Sequence, residues 1–216
     1  MIALLMAAAC SKDPNARKAT PPEGAVDLGL SVFWATCNLG ADDPSEYGDF
    51  YAWGETETKT EYIWENYIFR IDGDNYQNLT FTKYNSLEGH GTVDKKVSLD
   101  PEDDIAHVRL GDKWRMPSFE EFNELVDSCD WTWTSRRGIA GYDVKSRVNG
   151  NSIFLPSTGY YYQKGLHGEG YGGYYWTSST HPSSSYNARR LMFTPYRQSA
   201  SLYYRCLGQP IRPVSE

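Results

Sequence analysis

The sequence predicts an α+β fold: short, twisted antiparallel sheets, about two helices and long loops. Three observations carry that expectation. Aromatic residues make up 15% of the 216 positions, with 17 Tyr, 8 Phe and 7 Trp, and such residues favour pleated, half-buried segments. Nineteen Gly and 11 Pro interrupt the chain too often for long helices. The clearest helical periodicity is confined to one short stretch, whereas strand-like runs recur along the chain. A chain of this length with 40% apolar residues can bury one substantial core. No apolar run reaches the roughly 18 residues needed to span a bilayer as a helix.

Met1 to Ala9 is apolar, and Ala7-Ala8-Ala9 stands directly before Cys10, after which Ser11-Lys12-Asp13-Pro14-Asn15 is polar. This resembles a bacterial lipoprotein signal ending in a lipobox, although no Lys or Arg precedes a rather short apolar run. The resemblance implies that residues 1–10 are a signal ending at a lipidated Cys10, that 11–25 form a flexible tether, and that 26–216 form the folded domain. Ser11-Lys12-Asp13 is similar to the short tag that sends lipoproteins of the Bacteroidota to the outer face of the outer membrane. The expected location is therefore the cell surface, with membrane contact through the lipid alone.

Leu30 to Cys37 reads as a strand and Asp49 to Trp53 as a second, with Asp42-Asp43-Pro44 turning the chain between them. From Glu55 to Lys96 the sequence is polar and acidic without sustained period, and is expected to form surface loops. Asp100-Pro101-Glu102-Asp103-Asp104 lacks the alternating carboxylates and glycine of an EF-hand calcium loop. A helix start, with Asp100 as N-cap and Pro101 at the first position, fits better. Ser118 to Val126 is an amphipathic helix: Ser118 and Glu121 form a capping box, and Phe119, Phe122, Leu125 and Val126 share a face. Glu120 and Glu124, four apart on the polar face, read as solvated rather than catalytic. Gly141 to Val148, the turn Asn149-Gly150 and Asn151 to Pro156 make a hairpin. Further strands are expected at Tyr174 to Ser179, Ala188 to Thr194, Leu202 to Cys206 and Ile211 to Val214.

The net charge of −7 hides an asymmetry. Residues 1 to 130 carry 11 Lys and Arg against 25 Asp and Glu, whereas residues 131 to 216 carry 10 against 3. The basic back end is expected to pack against the acidic front. Its arginines are scattered among Gly, Ser and Tyr without a motif, so no nucleic-acid partner is expected. Cys37, Cys129 and Cys206 leave an odd thiol. Cys37 ends a strand and Cys129 a helix, which makes them the possible disulfide. His90, His107, His167 and His181 are isolated and no Cys-x-x-Cys exists, so neither a metal site nor a cofactor is expected.

An ordered set of short motifs carries a wider resemblance. It comprises Val26 to Val32, Trp34 to Asn38, Tyr47-Gly48-Asp49, and Ala52-Trp53-Gly54-Glu55. It continues with Trp114-Arg115-Met116-Pro117-Ser118 followed by Glu120-Glu121-Phe122, then Tyr175-Trp176-Thr177-Ser178-Ser179, and Arg205, Gly208 and Ile211-Arg212-Pro213-Val214. Together these resemble the Fibrobacter succinogenes major paralogous domain. The resemblance implies a C-type lectin-like fold, of the branch that also holds formylglycine-generating enzymes and the variable proteins of diversity-generating retroelements. It implies pairing of the N- and C-terminal strands, with Trp114 and Trp176 in the core. A purely structural surface protein is one alternative, and an enzyme of the formylglycine-generating kind is the other, because Trp114 to Phe122 is similar to a segment of that enzyme. That chemistry needs two copper-binding cysteines a few residues apart, and the sequence neighbour of Cys206 is Cys129.

The preferred expectation is a non-catalytic ligand-binding module, adhesin or receptor-like. Between Thr180 and Leu207 the framework reads as Ala188, Leu191, Phe193 and Arg205. The intervening Tyr, Ser, Asn and Arg suit an adaptable recognition surface. The candidate ligand-binding residues are His181, Tyr186, Asn187, Arg190, Met192, Thr194, Tyr196, Arg197, Gln198, Ser201 and Tyr203. Strand alternation expects Leu191 and Phe193 inside, Arg190, Met192 and Thr194 outside, and Tyr196 to Ser199 in a loop. The calcium-dependent sugar motifs of animal lectins are missing, since Gln209-Pro210-Ile211 lacks the carboxylate. The partner is expected to be a protein or a glycan at the cell surface.

Overall fold

The computed structural model describes residues 20–71 and 78–216. The apolar segment 1–9, Cys10 and the first part of the proposed tether lie outside the described residues. The strands are β1 (Ala25–Val26), β2 (Phe33–Ala35), β3 (Trp114–Arg115), β4 (Cys129–Arg136), β5 (Ile139–Ser146), β6 (Ser152–Pro156), β7 (Tyr160–Tyr162), β8 (Gly165–His167), β9 (Gly173–His181), β10 (Ser184–Thr194), β11 (Arg197–Tyr204) and β12 (Val214–Ser215). The helices are α1 (Ile105–Leu110) and α2 (Phe119–Ser128), with single 3-10 turns at Trp64–Asn66 and Pro101–Asp103. The described chain is α+β, as expected. Its sheets run in the orders β1-β2-β12-β3, β11-β10-β9, β4-β5-β6 and β7-β8.

The two ends of the domain meet as expected. Val214 and Ser215 pair antiparallel with Trp34 and Phe33, and on their other side with Arg115 and Trp114. Arg212, just before β12, is fully buried. Its Nε donates to Asn38 Oδ1 at 2.9 Å, Nη1 to the carbonyls of Ala35 and Thr36 at 3.1 and 2.9 Å, and Nη2 to Phe154 O at 2.9 Å. One side chain thus ties the C-terminal strand to the N-terminal one and to β6. Trp176 is buried, while Trp114 is only half-buried at the edge of the terminal sheet.

Local chemistry explains both helices. Ser118 Oγ accepts from Glu121 N–H at 3.2 Å, and the Glu121 carboxylate accepts from Ser118 N–H at 2.7 Å, closing the capping box. Phe122 and Leu125 are the buried positions of α2, with Phe119 and Val126 half-buried beside them. The start near Asp100 is displaced. Asp100 precedes only the 3-10 turn, without a side-chain cap, and Asp104 caps α1 by accepting from the N–H groups of Ala106 and His107. Pro101 fixes a first turn that Asp104 then restarts as a true helix.

Other expectations need correction. Asp49 to Trp53 makes only an isolated bridge, Tyr51 to Gln209. β4 lies outside the expected strands although Cys129, Trp131 and Trp133 alternate with polar residues along it, and Arg137-Gly138 turns it into β5 at positive φ for both residues. Between Glu55 and Lys96 the described residues are largely irregular but not superficial, because Tyr62, Tyr67, Phe69, Leu79, Phe81 and Tyr84 are buried in one core with Trp53 and Trp176. Its aromatics outweigh its polar average. Cys37, Cys129 and Cys206 are all free thiols, so the Cys37–Cys129 disulfide is absent. Cys129 is buried between α2 and β5, whereas Cys37 borders a surface hollow with Gly24 and Pro213.

Sheet β11-β10-β9 divides the two cores. Trp176 and Ala188 belong to the first, while Tyr175, Leu191 and Phe193 belong to the second with Phe122, Leu125, Val144 and Leu155. Phe193 lies so close over Gly173 that a Cβ there would clash with its ring, which is why the β9 residue opposite it is glycine.

Candidate functional site

Alternation along β10 sorts the proposed ligand residues. Leu191 and Phe193 are buried in the second core, as expected. Arg190 and Met192 point to the opposite face, but Arg190 is not outward in solvent: it is only 4% exposed. The reason is its neighbours. Its guanidinium carbon lies 4.1 Å from the Tyr203 ring centre, 4.7 Å from Tyr174 and 6.0 Å from Tyr160. Tyr203 comes from β11, Tyr174 from β9 and Tyr160 from β7, so three strands wall the cation with ring faces, a cation–π arrangement.

Inside that cage Nε donates to Ser201 Oγ at 3.0 Å, and Nη1 is buried without a hydrogen-bond partner. No ion pair to Arg190 occurs among the described residues. Burial pushes its pKa down to about 10, only partly offset by the facing tyrosines. A cation stripped of water and lacking a full set of acceptors costs free energy, since a donor left unpaired in the interior forfeits its hydration.

The cage opens onto an aromatic belt. Tyr160 lies 5.0 Å from Tyr174 and stacks on His167 at 5.7 Å. Tyr203 approaches Tyr204 at 5.5 Å, Tyr204 approaches Trp64 at 5.9 Å, and Trp64 approaches Tyr186 at 6.4 Å. Tyr162, Tyr203 and Tyr204 are all exposed. Of these belt residues only Tyr186 and Tyr203 were expected from sequence. The signal for the others was present in the consecutive Tyr160-Tyr161-Tyr162 and the glycine-rich 165–173 run, but nothing local said that β7 would lie beside β11.

The remaining candidates do not join one site. Arg190, Met192, Ser201 and Tyr203 cluster at mid-strand, where Arg190 pairs with Ser201 and Met192 with Ser199. Thr194, Tyr196 and Arg197 sit at the β10–β11 turn, and Arg197 already belongs to β11, so the expected loop from Tyr196 to Ser199 shrinks to a tight turn. Gln198 lies on the other face of the sheet, where it reaches the Tyr142 hydroxyl. His181, Tyr186 and Asn187 lie at the far end of β10: Asn187 donates to Ser184 Oγ at 3.0 Å, and the Tyr186 hydroxyl meets His90 Nδ1 at 3.2 Å. An eleven-residue strand spans about 35 Å, too far for both ends to touch one small ligand.

Another buried arginine of the back end, Arg205, stacks on Phe81 at 4.1 Å, and its Nη1 donates to the Tyr84 carbonyl at 3.2 Å, deep in the first core. The basic back end is therefore held largely by carbonyls and ring faces rather than by acids of the front, although Arg137 does reach Asp43 at 3.3 Å. The acidic run behaves likewise. Asp100, Glu102 and Asp103 converge, and Lys83 Nζ stands among them at 2.7, 3.2 and 2.6 Å. An internal ammonium occupies the place a calcium ion would take. Cys206 is buried, which pushes its thiol up to about 12, and Cys129 is raised to about 11. Both are far from the thiolate state that nucleophilic or metal-binding cysteines need.

Hollows occur elsewhere on the surface, one of about 320 Å³ beside Asp49, Tyr51 and Arg109 and one of about 550 Å³ beside Cys37, Trp114 and Pro213. Neither is lined by β10 or β11. Among family models, curated proteins and solved structures, nothing matches the chain.

Proposed function

We propose that the chain is a non-catalytic ligand-binding module of C-type lectin-like fold, related to the Fibrobacter succinogenes major paralogous domain. In this reading it is displayed at the bacterial outer surface through a lipidated Cys10. Pairing of β2 with β12, which brings the two ends of the domain together, supports the fold assignment. The observation that carries the functional reading is the aromatic belt beside the Arg190 cage, running from His167 through Tyr160, Tyr203 and Tyr204 to Trp64. Rings with one apolar face and one polar tip supply much of the contact energy of recognition surfaces. The unreactive state of Cys206 favours this reading over the formylglycine-generating alternative.

The test is capture of ligands by the full chain on a glycan array and from a cell-surface protein extract. Replacing both Trp64 and Tyr204 by Ala should weaken the captured interaction at least 10-fold. Undiminished binding by the double variant would remove the belt as the binding face. For the anchor, Cys10→Ala should abolish acyl labelling and release the protein from the membrane fraction, and retention there would contradict it.

A further inference from the structure

We propose that the Arg190 cage is the subsite for a carboxylate-bearing sugar, with Arg190 anchoring the carboxylate and the surrounding tyrosines receiving the sugar ring. The proposal rests on the binding-module reading and specifies its ligand class. Three observations lead to it. Arg190 Nη1 is a buried donor with no partner, on a side chain 4% exposed, so the cage holds an unmet demand for an anionic acceptor. A carboxylate is the planar acceptor a guanidinium fits best. The tyrosines 160, 174 and 203 offer ring faces and hydroxyls, the two features that suit the C–H face and the hydroxyl edge of a pyranose.

The strand environment separates a sugar from an acidic peptide. β10 is the central strand of its sheet, and its backbone groups around Arg190 are committed to the ladders with β9 and β11. An extended peptide gains much of its affinity by pairing with a free strand edge. At Arg190 itself none is available, and the edge of the sheet lies one strand away on β11, so contacts to Arg190 fall to side chains.

Access is through Tyr203. It is the exposed member of the three, 36% accessible, and is held by the cation–π contact with Arg190 and by the Tyr160 hydroxyl. Rotation of the Tyr203 side chain is the movement the proposal requires, and surface rotamers change within nanoseconds. The bond Arg190 Nε makes to Ser201 keeps the guanidinium oriented while this happens.

The probes are sodium D-glucuronate, N-acetylneuraminate, D-glucose and an acidic tetrapeptide, each titrated into the full chain by NMR. The wild type should bind at least one of the two acids 10-fold or more tighter than glucose and than the peptide. Arg190→Gln should lose that preference while keeping its circular dichroism and urea midpoint. If Arg190→Gln does not fold, Arg190→Met, closer in shape and without the buried donors, takes its place. Equal binding of acid and neutral sugar, preference for the peptide, or an acid preference that survives loss of Arg190 each overturns the proposal. A neutral ligand that needs Trp64 and Tyr204 but ignores Arg190 would leave the binding module standing and remove only the acidic sugar.

Discussion

Arg212 and Arg190 are both buried cations without an acidic partner, yet they differ in how their donors are used. Arg212 places Nε, Nη1 and Nη2 on four oxygens that belong to β2, its following turn and β6. Arg190 spends one donor on Ser201, leans on three rings and leaves Nη1 unpaired beneath an exposed tyrosine. Burial lowers both pKa values to about 10, so desolvation alone does not distinguish them. Hydrogen bonding does. A satisfied buried cation is a structural clasp, whereas an unsatisfied one near the surface is a site whose cost a ligand can offset.

The largest expected effect is at the clasp. Arg212→Met leaves Asn38 Oδ1 and three carbonyls without their donor and should destabilise the fold by about 3–5 kcal/mol in urea unfolding. A change below about 1 kcal/mol would break the comparison. On the core face of β10, Phe193→Ala removes a ring packed on Tyr142 at 5.4 Å and Tyr175 at 5.9 Å. A loss of roughly 2–5 kcal/mol should follow, and a much smaller one would show that the two faces of this strand are not divided as described.

The Lys83 clasp gives a pH-dependent contrast. Hydrogen bonds from Lys83 and Lys96 hold Asp100 below its ordinary 3.8, and Lys83 helps hold Glu102 below 4.5. Both folded-state values are depressed, so the stabilisation is fully present above these ordinary values and is lost as pH falls through the lower folded ones. Asp103 and the Tyr84 hydroxyl face the same ammonium. Acid unfolding of Lys83→Met should therefore differ from wild type near neutral pH and converge with it as pH falls through the depressed carboxylate values. A difference that persists unchanged into acid would exclude the ion pairs as its source. The smallest effect belongs to Tyr196, 85% exposed at the β10–β11 turn. Tyr196→Ala should shift stability within about 0.5 kcal/mol, and because it stands outside the cage, should leave binding of a small ligand intact.

Where information was local, the sequence was a good guide. The capping box at Ser118, the β5–β6 hairpin and the inward pair Leu191 and Phe193 follow from spacing and turn chemistry within a few residues, although the hairpin loop runs over 147–151 rather than Asn149-Gly150 alone. What failed was decided at long range. The burial of Tyr62, Tyr67, Phe69, Leu79, Phe81 and Tyr84 depends on Trp176 and Leu207, which come from distant segments. Arg190 was correctly placed on the face opposite Leu191, but its burial comes from Tyr160 and Tyr174, 30 and 16 positions away. The candidate ligand surface was thus legible as a strand and illegible as a cage. Alternation tells which way a side chain points, and only tertiary packing tells what stands there.

The most direct measurement is urea unfolding of Arg190→Met beside Arg212→Met. Methionine keeps much of the aliphatic volume and removes the buried charge, so at an unsatisfied site the replacement should be nearly neutral or stabilising, within about 1 kcal/mol of wild type. The Arg212 variant should lose about 3–5 kcal/mol in the same experiment. Equal, large losses at both positions would contradict the account, because Arg190 would then be a structural clasp like Arg212 and not a cation held ready for a ligand.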